Sequence, residues 1–146
     1  MRLDRPWIEL NIPHHGRMCL LDEVIEWDAR HIRCRSSTHR TPDHPLRSHG
    51  RLGIVCGVEY AAQVMAVHGA LVGAARSEAG FLASLREVQL HVLRLDDMES
   101  DLISAAELVA GDHGSALYEF VVTSGARRLL HGRATVVFDA NKRFIS

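Results

Sequence analysis

The sequence predicts an α+β domain in which an antiparallel sheet wraps one long central helix, and three observations carry that prediction. The segment Gly53 to Ala74, GIVCGVEYAAQVMAVHGALVGA, is apolar or small nearly all round, as a helix enclosed by other structure must be. Segments on both sides of it alternate with the period of two that marks half-buried strands. Short turn signals separate the strands that follow it, so one helix and a run of strands build the fold.

The elements follow in chain order. A short helix opens near Trp7–Leu10. Leu20–Asp28 (LLDEVIEWD) and His31–Ser36 (HIRCRS) read as two strands joined by a tight turn at Ala29 and Arg30. A loop covers Thr38–Gly50, then comes the long helix, with a bend at Ser77–Ala79 after it. Arg86–Leu93 (REVQLHVL) sets Val88, Leu90 and Val92 on one face and Glu87, Gln89 and His91 on the other. Asp101–Val109, Ala116–Thr123 and Leu129–Asp139 complete the strands, broken by GDHG at Gly111–Gly114 and SGA at Ser124–Ala126. No internal repeat, low-complexity segment or linker interrupts the chain, so a single domain over residues 1–146 is expected.

Composition narrows the function. With 146 residues, 47% hydrophobic and 24% charged, the chain has the makings of one ordinary core. Its 17 basic and 18 acidic residues leave a net charge of -1, so no global basic field exists to hold nucleic acid. Cys19, Cys34 and Cys56 are odd in number and include no CxxC, which indicates neither a disulfide framework nor a zinc ribbon and fits a reducing cytoplasm. The opening MRLDRPWIELNIP carries Asp4 and Glu9 and lacks the apolar core of a secretory signal. Gly53–Ala74 is long enough to cross a bilayer, but Glu59, Gln63 and His68 would then lie in hydrocarbon. No membrane partner is expected. His39, His44 and His49, spaced by five, match no zinc pattern. GxGxxG, P-loop and GxSxG are all missing, so neither metal nor cofactor is expected.

Two stretches carry a resemblance. NIPHHGRMCLLDEVIEWD, Asn11 to Asp28, resembles the opening of the FabA/FabZ-type 3-hydroxyacyl-acyl-carrier-protein dehydratases, with a Pro-His, a short polar turn and LLxDxV-like residues. GVEYAAQ, Gly57 to Gln63, is similar to that family's EAxAQ segment, in which the acid lies on the central helix of a hotdog fold. The fuller CGVEYAAQVMAVHGAL looks like the ApeP-like dehydratases associated with aryl polyene synthesis. The resemblance implies dehydration of a 3-hydroxyacyl thioester to the trans-2-enoyl thioester in fatty acid or polyene biosynthesis. It also implies an acyl carrier protein or coenzyme A thioester as substrate, and a homodimer or a heterodimer with another hotdog subunit.

The resemblance assigns roles residue by residue. Glu59 takes the position of the helix acid, which in that family faces a loop histidine across a dimer interface. Such a reaction needs a base for the α-proton, an acid for the departing hydroxyl and a donor for the thioester oxygen. His44, followed by Pro45 and fifteen residues before Glu59, is the first choice for the histidine; His49, ten before, is the second. Amides at Gly53 and Ile54, where the helix starts, are expected to receive the thioester oxygen. Gln63, one turn past Glu59, either orients the carboxylate or caps a polar pocket. His14 is expected to support structure, and His68 to pack in the core.

Each role has a plainer counterpart. An acid near a helix start also favours the helix dipole or pairs with a neighbour such as Arg51, and a loop histidine is often merely solvated. Arg40, Arg47 and Arg51 form a candidate patch for an acidic carrier, as do Arg127, Arg128 and Arg133. Two further readings stand beside the dehydratase. One is a hotdog thioesterase. The other is a noncatalytic hotdog subunit paired with an active dehydratase, because HPLRSHGRLG replaces the family's GHFP and PG segments.

Overall fold

The computed structural model describes residues 2–73, 80–112 and 114–138, so the bend expected at 77–79 lies outside the described residues. Helix α1 (Arg5–Asn11) precedes strands β1 (Glu23–Trp27) and β2 (His31–Ser36). Helix α2 (Gly57–Val72) follows a single 3-10 turn at Ile54–Cys56, and strands β3 (Gly80–Leu90), β4 (Leu102–Gly111), β5 (Ser115–Ser124) and β6 (Arg127–Phe138) come after it. Every pairing is antiparallel, in the order β1-β2-β4-β5-β6-β3. The sheet wraps around α2. This is the expected α+β class and the hotdog arrangement.

Alternation along the strands builds the core. In β5 the residues Ala116, Tyr118, Phe120, Val122 and Ser124 are buried while their neighbours are not. On α2, Tyr60, Ala61, Val64, Met65 and Val67 meet this inner face. By length and composition Ile54–Val72 is apolar enough to cross a membrane, yet here it is the core helix that the sheet encloses.

Gly57 permits that enclosure. A methyl group added there would lie 2.2 Å from Leu130 Cδ2, and Leu130 is fully buried and has little room to yield. The helix starts hard against β6.

Two boundaries differ from expectation for physical reasons. β1 begins at Glu23 rather than Leu20, because Leu20 and Leu21 are core residues and the Leu20 amide bonds the Gln63 side chain at 2.9 Å instead of a strand. β3 runs from Gly80, not Arg86, and its pairing with β6 shifts between Arg86 and Gln89. Glu87 sits in that shift with φ 54. The alternation expected of Val88, Leu90 and Val92 is therefore interrupted, and Leu90 is 47% exposed.

The loop before α2 is tied down by its own charges. Arg40 bonds Glu99 O at 2.8 Å and Asp101 at 2.6 Å. Arg47 bonds the carbonyls of Thr41, Gly50 and His39 at 2.9, 2.8 and 3.1 Å. These two arginines hold the loop together. Asp96, nearly buried, accepts from the Leu52 amide at 2.9 Å and from Arg94 Nε at 3.0 Å. The Arg94 hydrogen bond, with help from the Leu52 amide, holds its carboxyl well below the ordinary range.

Gly57→Ala is expected to destabilise the protein by about 1–3 kcal/mol through overpacking against Leu130. Urea unfolding measures this, and an unchanged midpoint would contradict the close packing of α2 on β6.

Candidate active site

The two stretches that carry the resemblance meet in space. His14, between α1 and a 3-10 turn at Gly16–Met18, places Nε2 3.2 Å from Oε1 of Glu59 in the first turn of α2. The two side chains are 26% and 38% exposed, so the pair lies at the protein surface without being fully hydrated. The side chain that meets Glu59 is thus His14 rather than Arg51. His14 Nδ1 is buried without a hydrogen-bond partner among the described residues. A proton there would have no acceptor, so the geometry suits the neutral ring with its proton on Nε2, donated to Glu59.

This gives His14 a place at the acid instead of the purely structural part expected of it. Sequence did contain the signal, because Pro13-His14 belongs to the matched opening stretch. What sequence lacked was the fold-back that carries residue 14 onto residue 59.

His44 is elsewhere engaged. The Leu46 amide donates to its Nδ1 at 3.1 Å, and its Nε2 lies 3.1 Å from the Tyr60 hydroxyl. Tyr60 OH in turn lies 2.8 Å from Thr38 Oγ1, which donates to Leu20 O at 2.7 Å. With Nδ1 accepting, Nε2 carries the proton, and the chain runs from His44 to Tyr60 to Thr38 to the Leu20 carbonyl. Both ring nitrogens are occupied within the chain. Burial, with Arg47 adding, pushes His44 below the ordinary imidazole value, and burial raises the Tyr60 phenol.

His49 is exposed at the tip of a tight turn. Ser48 and Arg51 exchange both backbone bonds, at 2.8 and 3.0 Å. Between them His49 and Gly50 have φ 54 and 74, the paired positive values of a two-residue hairpin turn. The structure therefore brings neither loop histidine to Glu59 within this chain.

The helix start is also differently used. The Ile54 amide donates to Leu93 O at 3.0 Å, so it is not open to a thioester oxygen in this chain. Gly53 bridges Arg94 beside it. Gln63 is fully buried, and its amide accepts from Leu20 N at 2.9 Å and donates to Met18 O at 2.7 Å. It binds backbone, not the Glu59 carboxylate. His68 packs in the core as expected, with Nδ1 2.8 Å from Tyr118 OH and Nε2 2.9 Å from Asp28 O.

Exposed apolar side chains lie just before α2. Val55 is 66% exposed and Leu93 90% exposed, held side by side by the Ile54–Leu93 backbone bond. Leu82, Leu85 and Leu90 are also exposed on β3, which ends the sheet with one side unpaired. An apolar open edge of this kind is a template for another strand. A concavity of about 700 Å³ on the sheet between Trp27, His31 and His131 includes neither His14 nor Glu59.

A family model described as ApeP-like, ApeP dehydratase, matches residues 6–145. Among solved structures, the dehydratase heterocomplex ApeI:P from Xenorhabdus doucetiae is similar with a TM-score of 0.81 and 24% identity, over 94% of each chain. AziG from S. sahachiroi has a TM-score of 0.63 at 14% identity, covering 80% of this chain and 89% of its own. The E. coli PaaI protein has a TM-score of 0.61 at 11% identity, covering 78% and 80%. At these identities the likenesses show the shared fold. None of the curated protein sequences compared matches the chain.

The buried histidines give the fold an acid limit. Burial lowers His39, His44 and His68 from the ordinary value of 6.5. Each therefore contributes stability that is complete above that value and is lost as the pH falls through it toward the folded value. Thermal melts are expected to be level above pH 7 and to fall as the pH drops below about 6.5. His44→Gln should shallow that slope, and an unaltered slope would contradict the neutral, buried ring. His49→Gly, which relieves a positive φ at an exposed tip, should leave the melting temperature level or raise it.

Proposed function

Since the chain belongs to the ApeP-like dehydratase family, we propose that it removes water from a 3-hydroxyacyl thioester, with Glu59 as its proton-transfer group. The observation that carries this reading is the His14–Glu59 contact of 3.2 Å in the first turn of α2. Dehydration takes a proton from C2, expels the C3 hydroxyl as water and leaves the trans-2-enoyl thioester. One group must accept the first proton while another protonates the leaving oxygen.

The pair suits the second task. His14 Nε2–H engages Oε1, which leaves Oε2 to carry a transferable proton toward the hydroxyl. The histidine fixes the direction of the carboxyl, much as a buried partner fixes an imidazole in a triad. An apolar cover over Glu59 would favour its protonated, donating form.

That cover, and the base for C2, are assigned to a partner hotdog subunit. Three features support this: the open β3 edge with its exposed leucines, the committed ring nitrogens of His44, and the similarity to a subunit of a heterocomplex. Carrier-bound 3-hydroxyacyl intermediates of fatty acid or aryl polyene assembly are the substrates this reading names, with coenzyme A thioesters as the simpler assay form.

The test follows enoyl product and free thiol together, for the chain alone and mixed with a hotdog dehydratase subunit. Enoyl product without thiol is expected, and release of thiol would mark a thioesterase instead. Glu59→Gln should lower turnover by about 10²–10⁴ with the melting temperature unchanged. Turnover equal to wild type would remove Glu59 from the reaction.

A further inference from the structure

The histidine that meets Glu59 sits on an irregular segment, so something must hold it there. His14 belongs neither to α1 nor to the 3-10 turn at Gly16–Met18. The next residues close tightly: Met18 N donates to His15 O at 3.2 Å, and Gly16 makes the turn with φ 59. Glycine takes that backbone conformation without the strain another residue would meet.

This turn is fastened to α2 by Gln63. Its Nε2 donates to Met18 O at 2.7 Å and its Oε1 accepts from Leu20 N at 2.9 Å. One partner is an unambiguous acceptor and the other an unambiguous donor, so the amide has a single orientation. Gln63 and Glu59 are four residues apart on one helix and share a face. A closed ring results. It runs from Glu59 to His14, through His15 and Met18 to Gln63, and back along one turn of α2.

We infer that Gln63 is a positioning residue, which sets the His14–Glu59 geometry by clamping the Gly16–Leu20 turn onto the helix that bears the acid. The helix supplies a fixed rise of about 6 Å between the two points of attachment. The turn cannot move off the helix without breaking the Gln63 bonds to Met18 and Leu20. The inference rests on the reading of that pair as the reacting site, and it replaces the expected contact between Gln63 and substrate or carboxylate.

Two measurements test it, one of them independent of turnover. Crystal structures of wild type, Gln63→Met and Gln63→Glu report the His14–Glu59 contact directly. Gln63→Met removes both bonds; Gln63→Glu keeps the acceptor for Leu20 N and removes the donor to Met18 O, so it stands in should the first variant not fold. The contact is expected in wild type and lost in both variants. A contact retained in either folded variant overturns the clamp.

The second measurement is a kinetic cycle. Gln63→Glu should lower kcat by about tenfold or more, the scale of a misplaced catalytic group, with KM little changed. Added to His14→Ala it should cost nothing further, because it acts through that ring. Additive losses would sink the inference while leaving the dehydratase reading intact. A wild type silent toward every thioester even when mixed with a hotdog dehydratase subunit would sink that reading, and the crystallographic contact would still decide the clamp.

Discussion

The close approach of α2 to β6 at Gly57 and Leu130 is the constraint on which the rest of the structure depends. It brings the helix inside the sheet, where a polar side chain without a partner costs about 1–3 kcal/mol. The polar residues of the helix interior each find that partner in a different part of the chain. Tyr60 takes Thr38 and His44, Gln63 takes Met18 and Leu20, and His68 takes Asp28 and Tyr118. The irregular connections are thus ordered by the helix they cross. Their shape follows from where α2 places a hydroxyl, an amide and an imidazole.

Glu59 stands apart from those three. Tyr60, Gln63 and His68 are sealed, whereas the acid lies in the first turn with more than a third of its side chain exposed. The amides of a helix start favour a negative charge there, and partial hydration spares the carboxylate the full cost of burial. Structural polar residues and the candidate reactive one are separated along one helix by how far the sheet covers them.

Much of this was legible in the sequence. Residues 53–74 announced a buried helix by being apolar all round, and β2 matched its predicted span, His31–Ser36, at both ends. β3 was the exception, because its leucines at 82, 85 and 90 do not face this chain's core; alternation reports burial only when both contributing surfaces belong to the same molecule. At the site, Glu59 was visible as a lone acid in an apolar run. The histidine beside it stood in the matched Pro13-His14 stretch, but its pairing with Glu59 was hidden, since the resemblance pointed to His44 and His49 and a contact across 45 residues leaves no local period. The use of the Ile54 amide was hidden for a similar reason. Whether Ile54 N–H is open depends on Leu93, which returns to it from beyond α2.

On the proposed reading, the partner that covers the exposed edge covers the acid as well. Val55 precedes Glu59 by four residues, about one turn along the helix start, and Leu93 is fastened beside it. β3 carries Leu82, Leu85 and Leu90 along the same open edge of the sheet. Soluble chains usually blunt such edges with charges, prolines or bulges, and β3 carries Arg86, Glu87 and a register shift between Arg86 and Gln89, while Leu82, Leu85 and Leu90 stay exposed. Covering these leucines and Val55 would remove water from the neighbourhood of Glu59 as well. On the proposed reading, association and activation of the acid are then one event, because the contact that buries the apolar rim also supplies the low dielectric in which a carboxyl holds its proton.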